Sequence, residues 1–197
     1  MIAAVPNALL DEVRALYEAP GRAYHTWEHV EEVLGWLDRV NEDAPWSDAL
    51  AVTLAALFHD AVYVPGRADN EIESAKLARA VIAAHLPGTP AGVVARVEDL
   101  VELTARHGHV AVADVDDEAA RFLDADMAIL GAPPERFAAY DVGIGREYAA
   151  LAPDVFAEGR RRFLEGLLAS PRIFLSPWFH DRLEAPARAN LRAALAR

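Results

Sequence analysis

Two histidines stand four residues apart in the stretch Ala23-Tyr24-His25-Thr26-Trp27-Glu28-His29-Val30. Residues i and i+4 share one face of a helix, with Cβ atoms roughly 5–6 Å apart, so both imidazoles can address a single site. Further along, Ala49 to Phe58 carries no charged side chain and ends abruptly in His59 and Asp60. An apolar helix that delivers an imidazole and a carboxylate into an interior must supply them with a partner, because a buried unpaired carboxylate is strongly disfavoured or takes up a proton. A cation is one such partner. The alternative is that His59 caps the helix end while Asp60 turns outward into a loop. A third segment, Phe122-Leu123-Asp124-Ala125-Asp126-Met127-Ala128-Ile129-Leu130-Gly131, sets two acids in an otherwise apolar run. Each segment alone is a weak signal, but together they point to a divalent-metal site. The chain has no cysteine, so such a site must be built from His, Asp and Glu.

The elements that must position these residues read as helices almost throughout. With 197 residues, 53% of them hydrophobic, the chain can bury a substantial core in one domain. Apolar spacing through Val30, Val33, Leu34, Leu37 and Val40 predicts a helix over Thr26–Asn41. Similar patterns predict helices over Pro6–Glu18, Ser47–His59, Asn70–His85, Pro90–Arg106, Asp116–Leu130, Pro134–Ala149, Val155–Ala169 and Ala185–Ala196. Pro20-Gly21, Pro65-Gly66, Pro87-Gly88, Gly131 with Pro133-Pro134, and Pro153 mark the breaks, and Ser47 and Asp116 are candidate caps. Val110-Ala111-Val112-Ala113 alternates weakly and is read as a loop. No repeat or low-complexity linker interrupts the chain, so one all-α domain over residues 1–197 is expected.

Charge narrows the function classes. The formal net charge of −12 argues against a general nucleic-acid binder, since phosphate backbones require a basic footprint. The balance is uneven. Arg160 to Arg197 holds eight Arg against Glu165, Asp181 and Glu184, which leaves 11 basic and 28 acidic side chains in the first 159 residues. Arg160, Arg161 and Arg162 are therefore either a solvated helix face or part of an anion site. The start, MIAAVPNALLDEVRALY, shows no basic leader region, and no run reaches the roughly 18 apolar residues of a membrane span. A soluble cytoplasmic protein without a membrane partner is the expectation.

The order His29, His59-Asp60, Asp126 resembles the His…His-Asp…Asp pattern of the HD superfamily of metal-dependent phosphohydrolases. Tyr24-His25-x-x-x-His29 is similar to the corresponding segment of cyclic-nucleotide phosphodiesterases. Arg22-x-Tyr24-His25, Phe58-His59-Asp60-x-x-Tyr63, Asn70-Glu71-x-x-Ser74-Ala75, Thr104-x-x-His107, Asp124-x-Asp126-Met127 and Arg146-Glu147-Tyr148 resemble a group of bacterial HD-superfamily proteins described as predicted phosphohydrolases. The likeness runs from about Arg22 to Asn190-Leu191. It implies a single HD-type helical domain in which His29, His59, Asp60 and Asp126 hold a divalent ion. Imidazole and carboxylate donors suit Mn, Fe, Co, Ni or Zn, with Mg also to be considered. Asp60 is then both ligand and catalytic residue, and could bridge to a second ion completed by Glu71 and His107. Alternatively, Glu71 pairs with Arg67 and His107 merely follows a helix end.

Several side chains carry two readings. His25 is either the acid that protonates the departing oxygen, as the resemblance implies, or a core histidine bonded to Glu28 or Asp60. Asp124 and Asp126 point in different directions on a helix, and the family pattern selects Asp126, just before Met127, as the ligand. His85 and His180 read as surface or cap residues. Tyr63, Asn70 and Tyr148 read as structural, with Asn70 retained as a candidate phosphate contact. The expected function is hydrolysis of a small phosphate ester, for instance a nucleotide; the alternative is a non-catalytic regulatory module that binds a metal and an anion. Because the first 159 residues would repel a long polyanion, fluorescence anisotropy in about 0.15 M salt should detect no tight, salt-sensitive binding of duplex DNA. Such binding would contradict the small-substrate expectation.

Overall fold

The run Ala49–Phe58 is apolar on every side, and a helix of that kind is stable only inside a protein. In the computed structural model, which describes residues 5–197, it forms helix α3 (Ala49–Phe58), buried from Ala51 to Phe58. The first four residues of the segment read above as lacking a leader lie outside the described residues. Asp48, rather than Ser47, caps α3, its carboxylate accepting from the Ala51 amide at 2.9 Å. Around α3 stand α1 (Asn7–Tyr17), α2 (Trp27–Asp43), α4 (Asn70–His85) and α5 (Ala91–Thr104). α2, α4 and α5 pack directly on α3, and α1 packs on α4. The predicted spacing explains the buried face of α2, where Val30, Val33, Leu37 and Val40 lie inward beside His29.

These five helices make one compact unit, Met1–His107, and a second unit spans Gly108–Arg197. The all-α class holds: no strand occurs among the described residues. No described helix is long and apolar enough to cross a membrane. The second unit contains a short 3-10 turn at Val112–Asp114, where a loop was expected, then α6 (Asp117–Asp126), a 3-10 segment (Met127–Gly131), α7 (Pro134–Glu147), α8 (Pro153–Ala169) and α9 (Pro177–Leu195). Asp116 caps α6 as predicted, accepting from Ala119 at 2.7 Å.

Two boundaries differ from the sequence reading by more than two residues. The helix expected over Asp116–Leu130 stops at Asp126 and tightens into the 3-10 segment. Its end is drawn against α9: a Cβ at Gly131 would lie 2.7 Å from that of Leu183, and Asn190 Nδ2 donates to Leu130 O at 2.9 Å and Ala132 O at 2.8 Å. The helix expected from Ala185 begins instead at Pro177 and runs through Pro186. Its early start is set by Pro177 in the first turn, where proline lacks no needed donor, and by the Ser176 side chain accepting from the Phe179 amide.

A pair of carboxylates organises the second unit. Asp124 accepts from the amides of Leu175 and Ser176, both at 2.7 Å, and from the Ser176 hydroxyl at 2.6 Å. Glu184 accepts from the amides of Ile173 and Phe174, at 3.0 and 3.1 Å, and from Arg188 Nε at 2.7 Å. Asp124 thereby fastens the backbone that leads into α9. Burial pushes the Glu184 carboxyl up, but the two amides and Arg188 outweigh it and hold it below the usual range. A depressed folded-state pKa contributes stability above the ordinary Glu value of about 4.3 that is lost as pH falls. In thermal melts from about pH 7 to pH 3, Glu184→Gln should therefore lose less stability on acidification than wild type. Asp124→Asn, which turns an amide NH2 toward backbone N–H groups, should cost about 2 kcal/mol at neutral pH, measured by chemical denaturation.

Candidate metal centre

The site in the first unit is assembled at the carboxyl end of α3. His59 continues the helical geometry, its N–H donating to Ala55 O at 2.9 Å. Its Nδ1 lies 2.8 Å from Ala56 O, a carbonyl that can only accept, so Nδ1 carries a proton, and in the neutral form of the ring Nε2 offers a lone pair. That Nε2 lies 3.0 Å from His29 Nε2 and 3.1 Å from Asp60 Oδ2. His29, in the first turn of α2, has its Nε2 3.7 Å from the same oxygen. A lone pair facing a carboxylate at 3.1 Å requires a proton or a cation between them. Two imidazole nitrogens each about 2.1 Å from one ion, at right angles, would be about 3.0 Å apart. The donor set therefore fits a divalent cation, with His29 and His59 each offering a ring nitrogen.

His25 differs in placement from the expectation. It precedes α2, which begins at Trp27, so the two histidines do not share a helix face; Thr26 bonds back to Tyr24 O at 2.7 Å and turns the chain before the helix. The rings of His25 and His29 still lie within 5.8 Å, and His25 Nε2 stands 4.0 Å from Asp60 Oδ2. Of the two acids weighed as its partner, Asp60 is the one it faces. Tyr63 packs on the His25 ring at 4.1 Å between centroids.

The turn after His59 is fastened from several sides. The Tyr17 hydroxyl donates to Leu57 O at 3.0 Å and accepts from the Asp60 amide at 3.3 Å. Arg22 donates through Nη2 to Asp60 O (2.9 Å) and Ala61 O (3.0 Å), and through Nη1 to His25 O (2.8 Å). Ser74 accepts from the Val62 amide (3.0 Å) and donates to Val62 O (3.3 Å), while Asn70 makes the same pair of bonds with Val64, both at 3.0 Å. Asn70 also reaches Arg67 O at 3.4 Å, so its amide is committed to the loop rather than directed at a ligand. Arg22, Tyr17 and Ser74 are the positioning residues that the sequence reading passed over. Arg22 and Ser74 stand inside the motifs quoted above, where they were given no role, and Tyr17 lies near the end of the helix expected over Pro6–Glu18.

Glu71 occupies the first turn of α4; Arg67, its suggested partner, pairs with Asp69. His107 follows α5, its amide closing a turn onto Thr104 O. Asp126 belongs to the second unit, where it is the last residue of α6. There Tyr140 is pushed up chiefly by burial, with Asp141 and Asp126 adding to the effect against Arg160. Arg160 pairs with Asp141 and the Tyr140 hydroxyl, and Arg161 and Arg162 pair with Glu158, so the arginine cluster is matched by its own carboxylates. Tyr148 packs on Phe156, His85 meets Glu12 at 2.7 Å, and His180 faces Glu184 at 3.3 Å.

Comparison of the chain with protein-family models, curated proteins and solved structures returns no match. The fastened loop supplies its own test. Asn70→Ala should speed hydrogen exchange at the Val64 amide, and Ser74→Ala at the Val62 amide. Each should lower stability by about 1–3 kcal/mol, whereas a change at exposed Lys76 should stay within about 0.5 kcal/mol.

Proposed function

We propose that the protein is a metal-dependent hydrolase of a small phosphate ester. The reading rests on one observation above all: His29 Nε2, His59 Nε2 and Asp60 Oδ2 converge within 3.0 to 3.7 Å in a nearly dry setting, with the two imidazoles 3% and 1% exposed. In this reading His29, His59 and Asp60 are ligands, and Asp126 joins them as the fourth on the strength of the sequence motif. Glu71 and His107 are held in reserve for a second ion. When bound, such an ion polarises a phosphoryl group and lowers the pKa of a water, so that a nucleophile is available near neutral pH.

The chain's own residues supply orientation and a proton. The bond from His59 Nδ1 to Ala56 O keeps the ring from turning and its Nε2 directed at the site. His25, more exposed than His29 and braced by Tyr63, can hold a proton for the departing oxygen, with the Asp60 carboxylate 4.0 Å away. A module that only bound a metal and an anion would have no use for a braced imidazole beside the ligands, which favours the enzyme.

Two substitutions separate the roles. His29→Ala should lower metal content, by elemental analysis, together with hydrolysis of a phosphate-ester panel. His25→Ala should retain the metal and lose about 10²–10⁴-fold in turnover, with a smaller loss for a nitrophenyl ester whose leaving group needs little protonation. If His25→Ala empties the site, or slows good and poor leaving groups equally, the assignment of His25 as the acid is wrong. If wild type neither contains nor is stabilised by any of Mn, Fe, Co, Ni, Zn or Mg, the metal reading fails.

A further inference from the structure

Arg22 is half-buried and touches both halves of the proposed site without being a ligand. One guanidinium nitrogen holds the His25 carbonyl, and the other holds those of Asp60 and Ala61, 38 and 39 residues further along. The guanidinium also lies 4.8 Å from the Tyr17 ring centroid and 5.5 Å from that of Tyr63. Its Nε, although buried, has no hydrogen-bond partner among the described residues, so the side chain is oriented by its two terminal nitrogens and the flanking rings. The loop carrying His25 and the turn carrying Asp60 come from separate elements, and these carbonyl bonds tie them to one rigid plane. Lysine cannot reproduce this, because its ammonium is a single point at the end of a flexible stem.

We propose that Arg22 is a positioning residue that holds the turn carrying Asp60 against the loop carrying His25, so that the Asp60 carboxylate is placed for the ion only while the guanidinium grips these three carbonyls. The inference rests on the metal reading above. It predicts that removing the fork weakens metal binding although no ligand has been touched, in the range of about 10–100-fold found for groups that orient ligands.

The test titrates Co2+ into metal-free full-length protein and follows both affinity and the visible Co2+ spectrum. Arg22→Lys and Arg22→Gln are compared with Trp46→Phe, which deletes a different buried bond to a carbonyl in the same unit, Trp46 Nε1 to Leu37 O at 3.1 Å. The expected result is weaker Co2+ binding and an altered spectrum in both Arg22 variants, with Trp46→Phe binding like wild type. Equal affinity in the Arg22 variants, beside a wild type that binds, overturns this inference alone. A matching loss in Trp46→Phe overturns it too, by assigning the effect to general destabilisation. So does failure of both Arg22 variants to fold without metal, which would make Arg22 a folding residue. A wild type that takes up no Co2+ overturns the metal reading and this inference together.

Discussion

A helix that ends inside a core leaves its last carbonyls without intrahelical partners, and each must find a donor or lie buried and unsatisfied. At the end of α3 this constraint is met residue by residue. Ala56 O accepts from His59, Leu57 O from Tyr17, Phe58 O from the Ala61 amide, and the carbonyls of Asp60 and Ala61 from Arg22. The same donors that satisfy the backbone also orient the imidazole and the carboxylate. Polar chemistry is concentrated here because an apolar helix of this length, stopping where it does, demands it.

The second unit solves the mirror-image problem. Four successive amides, Ile173 to Ser176, run through its interior as α9 approaches, and carboxylates accept from all of them. Asp124 and Glu184 are thus tied to backbone geometry. At Glu184 the two amides and the Arg188 guanidinium together favour the charged carboxylate against its burial.

Helices whose burial follows from local periodicity were legible in the sequence. The stripe on α2, the apolar α3 and the limits of α4 at Asn70 and His85 needed no tertiary information. The start of α9 was hidden because Pro186 reads locally as a break, while the features that extend the helix back to Pro177 lie in its own capping turn and in its packing on Gly131. Ser47 and Asp48 are both competent caps, and only geometry chooses between them. At the site, residue types and their order exposed His29, His59 and Asp60. They could not show Arg22, Tyr17 or Ser74 at work, because a side chain that bonds to a distant carbonyl or amide leaves no pattern in its own neighbourhood.

Asn70 and Ser74 stand one turn apart on α4 and take hold of Val64 and Val62, every second peptide of the chain that passes them. Four residues of helix advance about 6 Å, and two residues of extended chain reach at most about 7 Å, so the two scales agree over one turn and run in opposite directions. The helix acts as a ruler for the incoming segment. Substitution within 65–69 leaves that register intact, whereas insertion or deletion between Val62 and Val64 would put one of the two grips out of step. A change in length that spared both grips would have to fall in the bend around Gly66, whose φ of +81° marks the place where the chain turns back.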